Sequence, residues 1–274
     1  MVPSRAVIGL VRLPSLILPT ITCLSNHDPE VSYMDASPQL HEPGTLRSLP
    51  PLQALVDILL ALAFFAAAAL AAPLMGRLLT ARLDLPMLGV LALQGLLVLL
   101  ALRWLLGQRG QRWRDIGLRP LRLRDPALGV AALLLIFLVN LAIGLVSAAV
   151  APELLQQHQQ GLAGVAGLLA AEVSPATIAV AMLVVGFYEE VLARGFLLAR
   201  CRSLLAGTWA PVILSSALFG LGHFYQGWFG VLQTAVVGLV FARLALRWGT
   251  LWPVIFAHAA LNTLSLLLLR TLAA

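Results

Sequence analysis

From residue 52 onward the chain alternates long apolar runs with short polar stretches. Seven runs stand out, at roughly 52–76, 85–106, 126–151, 176–200, 209–225, 228–247 and 250–270. They recur at intervals that suit an α-helix of roughly 20 residues, the length that crosses a bilayer. The pattern predicts an all-α fold, a polytopic transmembrane helical bundle of about 7 spans. A further segment, 161–173, is apolar but too short to span. It is expected to lie in the interface or to form a half-helix on the outer face. Inverted symmetry of the kind seen in transporters is not evident.

Composition agrees with this reading. Hydrophobic residues make up 60% of the 274 and charged residues 11%, where a soluble domain carries about 25% charged. Residues 1–50 differ from the rest and are expected to be a disordered cytoplasmic tail. Ala6–Leu24 has the outline of a signal peptide, but Arg12, Pro14 and Pro19 interrupt its apolar core.

Charge sharpens the topology. All 18 basic residues are arginine, and they lie mainly between apolar runs. Seven fall between Arg103 and Arg124, which marks that loop as cytoplasmic. The 152–175 stretch holds no arginine or lysine and is assigned outside. Arg200 and Arg202 then fall inside, Tyr225–Gly227 outside, and Arg243–Gly249 inside. The expected topology is a multi-pass protein of a bacterial inner membrane, N-terminus cytoplasmic and C-terminus outside. Arg77 and Arg82 run mildly against it. The net charge of +6 is thus accounted for by loops, and no nucleic-acid partner is expected. Cys23 and Cys201 suit neither a disulfide framework nor a zinc ribbon.

Strongly polar side chains within the runs are few: Asp57, Asn140, Glu189, Glu190, Arg194, His223, His258 and Asn262. Each is costly in lipid, about 2.5–3.5 kcal/mol for a charge at a helix centre, and so is a functional candidate. Asp57 and Asn140 stand apart as expected packing or water-cavity residues. At about 1.5 Å per residue, Glu189 lies about 20 Å from Arg202 and His223 about 21 Å from Trp209. His258 and Asn262 lie about 12 and 18 Å from Thr250. One band of the bilayer can therefore hold all four.

Spacing divides the adjacent carboxylates. Glu190 and Arg194 are i,i+4 and can pair along one helix face. Glu189 is turned away by about 100° and can face a cavity. His258 and Asn262 share a face, as do Phe219 and His223. A carboxylate and a histidine in a low-dielectric pocket can activate water as general base, while a second histidine and an amide can hold an oxyanion. That combination hydrolyses an amide or ester. Equally, Glu189, His223 and His258 form the two-His, one-carboxylate set of a catalytic Zn2+, and spacing alone leaves both open. Ser215 and Ser216, with Gly220 and Gly222, read as residues that permit close helix packing.

The motifs in order are "EEVLAR" (189–194), "FGLGH" (219–223) and "HAALN" (258–262). They resemble the EExxxR, FxxxH and HxxxN motifs of the CPBP or Abi family, the CAAX-processing and bacteriocin-immunity type of intramembrane protease. "DIGLRP" (115–120) is similar to a segment ahead of the core in bacterial members. The resemblance implies a CPBP-like catalytic membrane core over 113–274, preceded by accessory transmembrane helices over 51–112. It implies a membrane-embedded endopeptidase whose site opens toward the cytoplasm and whose substrate is a membrane-anchored protein or peptide. Glu189 would activate water with His223, His258 and Asn262 would stabilise the oxyanion, and Glu190, Arg194 and Phe219 would position them. Metalloprotease is the family's common label, which keeps zinc on Glu189, His223 and His258 as an expectation. The rival readings are a non-catalytic immunity or scaffold protein and a proton-coupled transporter.

Overall fold

The computed structural model describes residues 49–80, 87–170 and 173–273. The expected tail, but for its last two residues, lies outside the described residues, as do Cys23 and Arg82. What is described is helical, with no strand among the described residues.

The first two runs form α1 (Pro51–Thr80) and α2 (Met87–Gln108), and the third forms α3 (Asp125–Val150). A shorter α4 (Pro152–Ala170) follows. The fourth run becomes one continuous rod. It is α-helical as α5 (Pro175–Glu190), widens to a π-helix over Val191–Leu197, and ends as α6 (Leu198–Leu204). Ser174 caps its start, with the side-chain oxygen accepting from the backbone N–H of Thr177 and proline at the first turn. Three helices complete the fold: α7 (Trp209–Leu221), α8 (Gly227–Trp248) and α9 (Trp252–Ala273).

Six of these rods are long and apolar enough to cross a membrane. The exception among the seven expected runs is 209–225, where α7 has 13 residues. At about 1.5 Å each that is about 20 Å, short of a bilayer core of about 30 Å. The helix stops because Gly222 and His223 leave it, a 3-10 turn (Phe224–Gln226) follows, and Gly227 takes φ 76° to start α8. His223 therefore sits at a helix end inside the protein, not along a helix. Of the apolar segment expected at 161–173, the residues up to Ala170 form the second half of α4, which begins at Pro152.

Lateral contacts define two ends. At one, the backbone N–H of Leu251 donates to the carbonyl of Gly117 and the Trp252 indole donates to that of Arg119. Leu49, just before α1, donates to the Ser203 hydroxyl. The Arg103–Arg124 stretch, Arg200, Arg202, Arg243 and Arg247 gather at this end. At the other, Arg270 near the end of α9 donates to the carbonyl of Val173, just ahead of α5. His158 of α4 meets the carbonyl of Gln226 there, 3.4 Å away.

Two charge clusters lie in the interior. Asp57 of α1 is buried between two arginines: Arg109 Nη2 donates to its Oδ1 at 2.8 Å and Arg200 Nε to its Oδ2 at 2.8 Å. The bond to Asp57 raises the pKa of Arg109 above its ordinary value despite some desolvation. Arg200 is fully buried and stacks on Phe196, 4.3 Å from the ring centre. This cluster fastens α1 and the end of α2 to α6. Asp57 is thus a packing residue, as expected, although its partners are arginines rather than water.

Candidate active site

The second cluster begins on the rod. Glu190 is wholly buried, and Arg194 Nη1 donates to its Oε1 at 2.6 Å. The π-helix around Arg194 is buried throughout, and such widened turns recur at functional sites. The guanidinium lies 4.1 Å over the Phe219 ring and 5.4 Å from that of Phe241. Aromatic faces replace part of the lost hydration of a cation. Phe219 was expected as a positioning residue, without this contact to Arg194. Phe241 was not, because it lies on α8 outside any motif.

Glu190 has a second partner that spacing along one helix could not reveal. His258 Nδ1 lies 2.7 Å from the same Oε1. A carboxylate bonded to an arginine accepts, so the ring donates from Nδ1 and turns Nε2 the other way. Glu190 is therefore more than a brace for its own helix: it fixes the orientation of His258 on α9, as a carboxylate fixes a catalytic imidazole. Close approach of the two helices makes this possible. A Cβ on Gly186 would stand 3.0 Å from the backbone nitrogen of Ala259, so only glycine lets α5 and α9 pack this tightly.

Glu189 faces the other way, as its rotation predicts. Its Oε2 lies 3.6 Å from His258 Nε2 and 3.9 Å from His223 Nε2. Both distances exceed a direct hydrogen bond, and Oε2 of Glu189 is buried with no hydrogen-bond partner. His223 is held in its turn: Nδ1 is 3.0 Å from the Phe219 carbonyl. A carbonyl can only accept, so Nδ1 carries the proton and Nε2 is the nitrogen presented to Glu189. The His223 ring lies 4.8 Å from that of Phe219. Gly220, next to Phe219 in α7, seats that helix on α8, since a Cβ there would be 2.6 Å from the Val231 carbonyl.

Glu189, His223, His258 and Asn262 all line one cavity of about 400 Å³. The band of matching depth thus corresponds to a shared space. Asn140, set apart in the sequence, lines it too, and Gln233 Nε2 donates to its Oδ1 at 2.8 Å. Tyr188 and Tyr225 also face it. Ser215 is not part of this site; its hydroxyl donates back to the Val212 carbonyl at 3.1 Å. Cys201 is buried.

The donor set bears on zinc. Among the described residues, no group of three or more His, Cys, Asp or Glu side chains is arranged to hold a metal ion. Glu189, His223 and His258 nonetheless come together, with Oε2 of Glu189 3.6 Å from His258 Nε2 and 3.9 Å from His223 Nε2.

Residues 171–264 match the family described as Type II CAAX prenyl endopeptidase Rce1-like. This segment is similar to that family. It contains all three motifs and both halves of the cluster just described. At family level the segment is that of a CAAX-type intramembrane protease, working in a bilayer on membrane-associated substrates. No curated protein and no solved structure matches the chain.

Proposed function

We propose that this protein hydrolyses a peptide bond of a membrane-anchored protein or peptide by direct attack of water, with Glu189 as general base. The observation that carries the reading is the division of two adjacent carboxylates. Oε1 of Glu190 is taken by both Arg194 and His258, while Glu189 lines the cavity with its Oε2 3.6 and 3.9 Å from two imidazoles and free of any hydrogen bond.

The chemistry follows from those positions. Water between Glu189 and His223 gives a proton to Glu189 as its oxygen bonds to the scissile carbonyl carbon. The oxyanion that develops is met by the Asn262 amide and by Nε2–H of a doubly protonated His258, whose Nδ1 donates to Glu190. Breaking the C–N bond transfers the proton from Glu189 to the leaving amine. Phe219 and Arg194 keep the set in place. Along the cavity wall, the Asn140–Gln233 pair leaves an amide N–H2 and a carbonyl oxygen free, the complement of a peptide backbone.

The setting is a bacterial inner membrane, with the arginine-rich end of the bundle cytoplasmic. That puts the N-terminus in the cytoplasm and the C-terminus outside. A prenylated substrate is not assumed.

The test is cleavage of a library of membrane-anchored peptides by purified wild type and Glu189→Ala. Loss of a general base is expected to lower the rate by about 10²–10⁴-fold, and cleavage unaffected by the change contradicts the reading. The same assay addresses zinc. Cleavage that survives a chelator supports direct water activation, whereas loss restored by zinc reassigns Glu189, His223 and His258 as ligands.

A further inference from the structure

A second cavity, of about 210 Å³, lies at the arginine-rich end of the bundle. No residue lines both cavities. Its walls come from four parts of the chain that meet only in the fold. The loop after α2 supplies Arg119, the rod Arg194 and Arg202, the end of α8 Ala245, and the link to α9 Gly249 and Thr250. The volume falls below the range of about 300–1,000 Å³ typical of pockets for drug-sized molecules. It suits a small ionic group rather than a peptide.

The charges on these walls are unevenly committed. Asp115, the one carboxylate among the lining residues, accepts from the backbone N–H of Arg112 at 2.7 Å and lies 3.9 Å from Arg114 Nε. Arg194 is paired with Glu190. Among the described residues, no ion pair or hydrogen bond engages the guanidinium of Arg119 or of Arg202. Arg119 is fixed at the wall through its carbonyl, which accepts from the Trp252 indole. Its Nη1 lies 3.6 Å from where a Cβ on Gly249 would stand. Thr250, on the same wall, is 3% exposed, and its Oγ1 has no hydrogen-bond partner.

We propose that this cavity binds a phosphate-bearing anion, either the headgroup of an anionic lipid or free phosphate. Guanidinium groups meet phosphate oxygens in bidentate pairs, and basic pockets between membrane helices take anionic headgroups. Arg119 and Arg202 hold the anion from separate walls, with the Thr250 hydroxyl as a further donor. The bound anion joins the loop after α2 to the rod, beside the π-helix that carries Arg194.

Thermal unfolding of the full-length protein in detergent reads binding without any peptidase step, so its outcome is independent of the peptidase reading. Micelles are doped with phosphatidylglycerol or with phosphatidylcholine, and a third sample receives inorganic phosphate at matched ionic strength. At saturation the bound anion should raise Tm by roughly 5–10 °C. A rise with phosphatidylglycerol alone identifies a lipid headgroup, and an equal rise with inorganic phosphate identifies the free anion; either supports the site. Arg119→Gln combined with Arg202→Gln should abolish the rise, and since neither arginine has a partner to lose, this variant should fold. Arg122→Gln combined with Arg124→Gln, at the same end but off the cavity, should keep it. The proposal is overturned if neither phosphatidylglycerol nor inorganic phosphate shifts Tm, if phosphatidylcholine does as well as phosphatidylglycerol, or if both double variants respond alike.

Discussion

Two clusters of buried charge sit within one bundle and are built on different rules. Around Asp57, one carboxylate is held by two arginines, both at 2.8 Å, with Phe196 covering the second cation. Around Glu189 and Glu190, two carboxylates share one arginine and two histidines, and one of the carboxylates looks into a cavity. In the first arrangement both oxygens of the carboxylate are taken by arginines, which is what anchoring α1 and α2 to the rod requires. In the second, Oε1 of Glu190 takes both Arg194 and His258, whereas no ion-pair partner lies within hydrogen-bond reach of Glu189 Oε2. Its remaining carboxylate is kept for a substrate or water, the condition under which a buried charge does chemistry.

Breaking the closed cluster should cost the most stability. Asp57→Leu leaves Arg200 charged and uncompensated in the interior, and removing one partner of a buried pair costs about 3–5 kcal/mol. Thermal unfolding in detergent should show a large drop in Tm, and protein that remains folded at low temperature should still cleave. An unchanged Tm would mean that Asp57 anchors nothing.

Glu190→Gln probes the joint between the two rules. It keeps the shape but weakens the hold on both Arg194 and His258. By analogy with groups that orient metal-bound histidines, a loss of roughly 10–100-fold in kcat is expected. A purely structural Glu190 would instead lower the yield of folded protein without altering kcat per folded molecule.

The smallest effect belongs to the cavity wall. Gln233→Leu removes the Asn140 partner and one group available to a peptide backbone. A neutral hydrogen bond contributes about 0.5–1.5 kcal/mol, so KM should rise severalfold with kcat nearly unchanged. A fall in kcat at constant KM would place Gln233 in the chemistry instead.

The comparison also explains what the sequence made legible. Helical spacing was enough to separate Glu189 from Glu190, and depth along the apolar runs was enough to bring His223, His258 and Asn262 level with them. Those are local quantities, fixed by 3.6 residues per turn and by where arginines end each run. The Asp57–Arg200 bond joins residues 143 apart, and Glu190–His258 joins residues 68 apart. Nothing in a local pattern selects those partners. Short α7 escaped notice because 209–225 reads as one apolar run, while the break at Gly222 and His223 depends on packing against α8. Phe241 was missed since an aromatic residue in an apolar helix looks like any other core residue.

Glu189→Gln and Glu190→Gln, assayed side by side for peptide cleavage and for Tm, test the division of the two carboxylates most directly. The account predicts that Glu189→Gln abolishes cleavage with Tm close to wild type, while Glu190→Gln lowers Tm and retains residual cleavage. Cleavage at the wild-type rate by Glu189→Gln, with Glu190→Gln silent yet fully stable, would contradict it.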